Sequence, residues 1–421
     1  MKRQMFAGSI LCLALTASLL FSLSGCGTSA QAADLMAGLK ANTINTNVEL
    51  TGDDSKEIAN FAVNLFQSSA SATENTLVSP LSVLCALAMT ANGAEGNTLV
   101  QMKNMFGLSM PELNNYLHTY LESLPSSDKY KVNIADSIWF KDEESLTVKN
   151  NFLQTNADYY GASIYKAAFD DASLKDINTW VSNNTDGMVP NILNDIPEDA
   201  VMYLINALAF DAEWETIYQE TQVQDGTFTT ESGEAKDVQM MYSEESRYLD
   251  DGSATGFIKY YADQKYAFVA LLPNKGISIA DYVASLTGEG LMDTLNNAQK
   301  TGVETAIPKF ESKYTLEMSD ILKSLGMTDA FDSARADFTG IGQSEDGNIY
   351  ISRVLHKTYI AVDEKGTKAG AATAVEMKTT GAMVSEPKAV YLNRPFVYML
   401  IDCETNLPIF IGTAMDIAQW R

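Results

Sequence analysis

Two histidines, His118 and His356, are all the imidazole in 421 residues, and only four cysteines accompany them. A hydrolase of the Ser-His-Asp kind needs an imidazole as its proton shuttle. His118 falls on the polar side of a helical repeat beside Leu117 and is expected to face solvent. His356 shares the parity of Val354, Thr358, Ile360 and Val362, the buried side of a strand. Neither position suits catalysis. The histidines and cysteines form no cluster with metal-ligand spacing, no glycine-rich loop cradles phosphate, and Asp337 and Glu345 flank an ordinary turn. No enzyme, cofactor or metal is therefore expected. Cys85 lies in an apolar helical run and Cys403 in a strand-like run, and both read as buried thiols. Basic residues are scarce as well: 29 Lys and Arg stand against 54 Asp and Glu, a formal charge of −25. Such a surface repels nucleic-acid phosphates and anionic lipid headgroups.

Long apolar runs are missing beyond the start, where nothing approaches the roughly 18 residues of a membrane-spanning helix. The start itself is a targeting segment. Lys2 and Arg3 form a basic region, Ile10 to Leu20 an apolar one, and Leu23-Ser24-Gly25-Cys26 looks like a bacterial lipobox, in which Cys26 is lipidated. An ordinary signal peptide with an incidental Cys26 is the alternative; either way the chain leaves the cytosol, on a lipid anchor at a bacterial cell surface or secreted. Losing residues 1–25 removes Lys2 and Arg3 and no acid, so −25 becomes −27. Residues 26–50 are small and polar and read as a lipidated cysteine with a flexible tether. With no internal repeat, linker or charge block beyond them, residues 51–421 read as one domain.

Periodicity places the main elements. Ile58, Phe61, Ala62, Leu65 and Phe66 make an amphipathic helix after Asp53 and Asp54. Ser79-Pro80 is a cap followed by proline at the first helical position, opening an apolar helix to about Ala91. Leu113 to Leu124 repeat the helical spacing. Strands are expected over Tyr130 to Phe140, over the unbroken apolar runs Met202–Phe210 and Tyr266–Leu272, and over Val390–Asp402 and Pro408–Ala414. Helices gather early and strands late, the mark of an α+β fold.

One segment is unusual for a strand. From Gly366, the residues Thr367, Ala369, Ala371, Thr373, Val375, Met377 and Thr379 share one parity, while Lys368, Glu376 and Lys378 share the other. That alternation is strand-like, yet alanine and glycine are poor strand formers. A strand this small suits slipping into a sheet more than living in one. Ile351 to Asp363 supplies a β-rich neighbour, and Gly366 a place for the backbone to reverse at positive φ.

This segment resembles the reactive-loop hinge of the serpin family of protease inhibitors. Similar blocks recur in family order: Asn75-Thr-Leu-Val-Ser79-Pro80-Leu-Ser82, Asn92 to Thr98, Ile177-Asn-Thr-Trp180, Leu204-Ile-Asn206-Ala207, Ile307-Pro308-Lys309-Phe310, Leu325-Gly326-Met327 and Leu392-Asn393-Arg394-Pro395-Phe396. Together they span roughly residues 53–416. The resemblance implies a single serpin domain of three β-sheets with surrounding helices and an exposed reactive-centre loop at about 364–390. It also implies suicide inhibition: a protease cleaves the loop, and the strand from Thr367 inserts into the central sheet carrying the acylated enzyme.

Counting fourteen residues on from Gly366, as in inhibitory members, places the scissile bond at Thr380-Gly381, which suits an elastase-like serine protease. Cleavage after Lys378, Thr379 or Met383 stays open, as does trapping of papain-like cysteine proteases. The hinge comprises Glu364, Gly366, Thr367, Ala369, Ala371 and Thr373. Ser79, Ser82, Asn206 and His356 would surround the opening point of the sheet, with Trp214 and a Lys309–Glu364 pair at the loop's base. Lys368, where an acid is common, and Gly370 depart from the family pattern on the outward parity. A monomer needing no cofactor is implied, with a non-inhibitory surface-binding serpin as the alternative.

Overall fold

The computed structural model describes residues 32–417 other than 47, 125, 126, 128, 346 and 368–387. Ser79 and Pro80 open helix α2 (Pro80–Ala91), whose twelve residues are all buried. It is flanked by α1 (Asp53–Ser69), α3 (Gly96–Phe106), α4 (Met110–Ser123) and α5 (Asn150–Tyr160). Together with α9 (Ser319–Ser324) they pack one face of a seven-stranded sheet, in which Ile138, Phe140, Leu204 and Val354 meet Val83, Leu87 and Met89. Helix α6 (Asp171–Asn184) covers the other face, laying Ile177 and Val181 against Trp139, Tyr203, Ile205, Ala207 and Leu355.

The strands of this sheet run in the order β1 (Ala33–Asp34), β5 (Ser163–Ala167), β3 (Tyr130–Lys141), β6 (Met202–Glu213), β15 (Gly366–Thr367), β14 (Arg353–Val362), β12 (Phe310–Glu317). Strand β6 is covered on both faces, which is why its sequence carries no polar alternation. A second sheet of nine strands joins β16 (Lys388–Tyr391), β11 (Gln299–Pro308), β8 (Ala235–Asp250), β9 (Ala254–Tyr260), β10 (Tyr266–Pro273), β17 (Phe396–Asp402), β18 (Pro408–Ala414) and β2 (Thr76–Val78), with β7 (Val223–Thr229) on β8. Its aromatic face, with Phe268, Phe396 and Tyr398, packs under Phe210, Ile360 and Val362 of the first sheet. The pair β4 (Thr147–Val148) with β13 (Gly342–Gln343) is the third sheet. The short helices α7 (Ile279–Ser285) and α8 (Gly288–Asn296) pack on the far side of the second. One α+β domain with three sheets results, as expected.

Four expectations need correction. The stretch Val390–Asp402 is two strands, because Pro395 lacks the N–H a ladder needs and the chain there leaves β11 to join β10 and β18. His118 is half-buried: α5 lies over it, with Tyr159 O 3.3 Å from Nδ1 and the Tyr159 ring edge-on at 5.9 Å. Cys85 is buried and Cys403 half-buried, both as free thiols.

Residues 32–46 and 48–50 are not a free tether but lie along the body. Strand β1 pairs with β5, Asn42 N–H donates to Asp158 at 2.7 Å, and Lys40 O accepts from Gln154 at 2.9 Å. Leu35, Met36, Leu39, Val48 and Leu50 pack on the helical core. Their spacing is irregular because a strap follows the contour beneath it and owes nothing to its own helical or strand period. Burial of five half-covered side chains, with the β1–β5 pairing and the hydrogen bonds of Asn42 and Lys40, outweighs the ordering of the strap only slightly. Deleting residues 1–50 should therefore cost only about 1–2 kcal/mol, read as a melting temperature lower by a few degrees.

Candidate functional site

In the middle of the first sheet, β14 and β6 run parallel, Arg353 against Tyr203 through Tyr359 against Ala209. The neighbours on either side, β3 on β6 and β12 on β14, are antiparallel. Above Tyr359 the two central strands part, and β15 enters between them: Gly366 opposes Glu213, and Thr367 opposes Ala212 on one side and Val362 on the other. Thr367 is fully buried and its hydroxyl meets that of Tyr261.

The reversal that brings Thr367 here is not made by glycine at positive φ, as the sequence suggested. Asp363 Oδ1 accepts from the N–H groups of Lys365 (2.8 Å) and Gly366 (3.2 Å), a side-chain-built turn. Gly366 is needed for closeness instead, since a Cβ on it would stand 2.0 Å from Ala212 O. Burial raises the Asp363 carboxyl above its ordinary range.

The base of the loop is clamped from the side. Trp214 Nε1 donates to Asp363 O (2.8 Å), Trp214 N–H to Lys365 O (2.9 Å) and Tyr218 N–H to Glu364 O (2.9 Å). Lys309 pairs with Glu364 at 2.8 Å, the contact the resemblance implied. Trp214 stacks on Tyr261 with centroids 4.4 Å apart, so the residue that holds the turn also backs the residue that holds Thr367.

Lower on the same seam lies a buried polar chain. Ser79 N–H donates to His356 Nε2 at 3.0 Å, which fixes the tautomer and leaves Nδ1–H to donate to Asn206 Oδ1. Asn206 Nδ2 donates in turn to Ser82 Oγ and Asp136 Oδ1, and Ser82 Oγ donates to the same carboxyl oxygen at 3.2 Å. The chain ties β14, β6, β3 and the start of α2 together across the line where the sheet would part. Burial drives the His356 pKa down to about 3, so the ring is neutral. Burial likewise lifts Asp136 to about 8, against the pull of the Asn206 and Ser82 hydrogen bonds.

The structure thus brings together Ser79, Ser82, Asn206 and His356 at one level of the seam, and Glu364, Gly366, Thr367, Trp214 and Lys309 at the level above. Sequence reading missed Asp136, Tyr218 and Tyr261. Asp136 carried a signal: it is an acid on the inward parity of Val132, Ile134, Ile138 and Phe140. Tyr218 and Tyr261 look like ordinary core aromatics. The hinge residues Ala369, Ala371 and Thr373, the candidate bonds at Thr380-Gly381, Lys378, Thr379 and Met383, and Cys26 lie outside the described residues.

The family profile described as Serpin (serine protease inhibitor) matches residues 56–417. Serpin B6 of Pongo abelii is 28% identical over 368 residues, covering 84% of this chain and 96% of its own. The solved native state of the thermophilic serpin tengpin is 49% identical with a TM-score of 0.88, covering 92% of this chain and 100% of its own. Its latent state aligns at 45% identity with a TM-score of 0.79, covering 89% of this chain and 100% of its own. The profile spans most of the sequence: this chain belongs to the serpin family.

Proposed function

We propose that this chain is an inhibitory serpin that traps a serine protease as an acyl-enzyme by inserting its cleaved loop between β6 and β14. Serpins generally act on target proteases as inhibitors, not as enzymes. The observation that carries the inhibitory reading is the seat of Thr367. The first residue of a small-side-chain strand already occupies the gap, and only a parallel ladder has to open beneath it.

The energetics favour completion. A dozen new ladder bonds at roughly 0.5–1.5 kcal/mol each give on the order of 10 kcal/mol. Ordering the same residues costs roughly as much. The balance is tipped elsewhere: insertion replaces one parallel ladder with two antiparallel ones, the better-paired geometry. Val375 and Met377, on the inward parity, add roughly 1.5–3 kcal/mol each if fully buried. No charge of the segment after Gly366 shares that parity, so no ion is dragged into the sheet.

In this reading the protease serine attacks the Thr380 carbonyl, the Gly381 amine leaves, and the ester is carried away with the strand before water reaches it. A small residue at Thr380 suits an elastase-like pocket, and a papain-like thiolate could be trapped in the same way. The lipobox ending in Cys26 supports tethering by lipid outside a bacterial cell, and the reading takes the chain as a monomer. The test is incubation of residues 27–421 with pancreatic elastase. An SDS-resistant complex and a released fragment beginning at Gly381 are expected; clean cleavage with no complex would make the chain a substrate.

A further inference from the structure

Beside the clamp on the loop's base lies a buried charge. Lys259, on β9, has 3% of its side chain exposed, and its ammonium stands 2.8 Å from Glu245 Oε1 on β8, itself 13% exposed. Burial pulls the ammonium down most strongly, but the Glu245 carboxylate and the Tyr218 phenol together outweigh it and hold the pKa above the ordinary lysine value. Taking two such ions out of water costs several kcal/mol each, and apolar residues of the same volume commonly serve stability as well or better. Stability is therefore a poor reason for this pair.

Its surroundings supply a better one. Lys259 Nζ lies 4.4 Å from the centre of the Tyr218 ring and 5.3 Å from that of Trp214, both within cation–π reach. Those two residues supply the three donors that hold the carbonyls of Asp363, Glu364 and Lys365. Ser243 Oγ, 2.7 Å from Glu245 and 3.2 Å from the Tyr218 hydroxyl, ties the anion to the same ring. One cation thus contacts the rings of both clamping residues, and one of them, Trp214, stacks on Tyr261, the partner of Thr367.

We propose that Lys259, anchored by Glu245, is a positioning residue for loop insertion: it holds Trp214 and Tyr218 so that the hinge stays seated at the head of the seam, ready to propagate. The claim rests on the inhibitory reading for its consequence but not for its geometry. Losing the cation lets the 363–367 turn loosen, so that insertion starts later and more of the acyl-enzyme is hydrolysed.

The decisive variant is the double substitution Lys259→Met with Glu245→Gln, which leaves no unpaired ion behind; Lys259→Arg keeps a cation that stacks on the same rings. Two readouts apply. Without protease, hydrogen exchange over residues 363–367 should quicken about tenfold in the double variant, and the Trp214 emission should shift, while Lys259→Arg matches wild type. With elastase, the number of inhibitor molecules consumed per trapped enzyme should rise three- to tenfold in the double variant and recover in Lys259→Arg. Wild-type exchange and emission in the double variant overturn the proposal. Should wild type form no complex, the inhibitory reading fails, and the exchange measurement still decides whether Lys259 positions the hinge. If the double variant does not fold, Lys259→Gln with Glu245 retained takes its place, with the same exchange outcomes.

Discussion

Replacing Thr367 by arginine should convert trapping into plain cleavage. Thr367 is enclosed by β6 and β14 and by the Tyr261 hydroxyl, with no solvent exposure. Among the described residues a guanidinium there finds no anion in contact with the hydroxyl it replaces, and an unpaired buried ion costs several kcal/mol. The fold has a cheap escape, since β15 is two residues long and can swing out while the β6–β14 ladder beneath it stays paired. The variant therefore folds, but insertion has lost its first step. Each 1.4 kcal/mol added to the insertion barrier shifts the race with hydrolysis tenfold. SDS-resistant complex should fall by at least tenfold while loop cleavage continues, and the cleaved variant should melt no higher than the intact one. Thr367→Ser, which keeps the hydroxyl, should behave as wild type. Undiminished complex with Thr367→Arg would show that the hinge does not have to pass through this site.

Why the start of α2 and the central strand were legible and the clamps were not is a matter of range. The cap and proline that start α2 are a local property, and so is the apolar run of β6. These survive folding unchanged because local preference and global burial agree. The break at Leu392–Pro395, by contrast, follows from β16 and β17 having different partners, information that lies in β11, β10 and β18. The strap at residues 32–46 and 48–50 owes its place to the helices beneath it. The turn before Thr367 shows the same limit in miniature. Glycine was correctly singled out, yet the reversal belongs to the Asp363 side chain, and the glycine answers to the carbonyl of Ala212, far back along the chain in β6. Polar pairs are the hardest to read. His356 declared itself by sitting on an apolar parity; Asp136 carries the same signal on another strand but went unread, and nothing local joins the two. Lys259 and Glu245 look like solvated charges until β8 and β9 are side by side.

That His356–Asn206–Asp136 chain gives the protein a stability profile with opposed arms. For Asp136, held near pH 8 in the fold against about 4 in an unfolded chain, the folded state carries the extra proton between those values. Its contribution is complete below about pH 4 and is lost as pH rises through about 8. His356 has the opposite sign. Its pKa is about 3 in the fold and about 6.5 unfolded, so its contribution is complete above 6.5 and is lost as pH falls toward 3. Between pH 4 and 6.5 the two slopes cancel; between 6.5 and 8 only Asp136 acts. The other titratable groups near the carboxyl stay neutral there, because burial lifts the Cys85 thiol and the Tyr160 phenol well above their ordinary values. The native state should therefore lose about 2 kcal/mol from pH 6.5 to 8, at roughly 1.36 kcal/mol per pH unit. Asp136→Asn keeps an acceptor for Ser82 and Asn206 and removes the titration, so its stability should be level across that window while the acid arm of His356 becomes steeper to the eye, no longer offset. Denaturant unfolding at pH 6.5, 7.25 and 8 reads both curves, and a slope that persists in Asp136→Asn would place the titrating group elsewhere. The same chain must let go between His356 and Asn206 when β14 leaves β6, so the pH that weakens it in the intact protein should also be the pH at which the seam opens most readily.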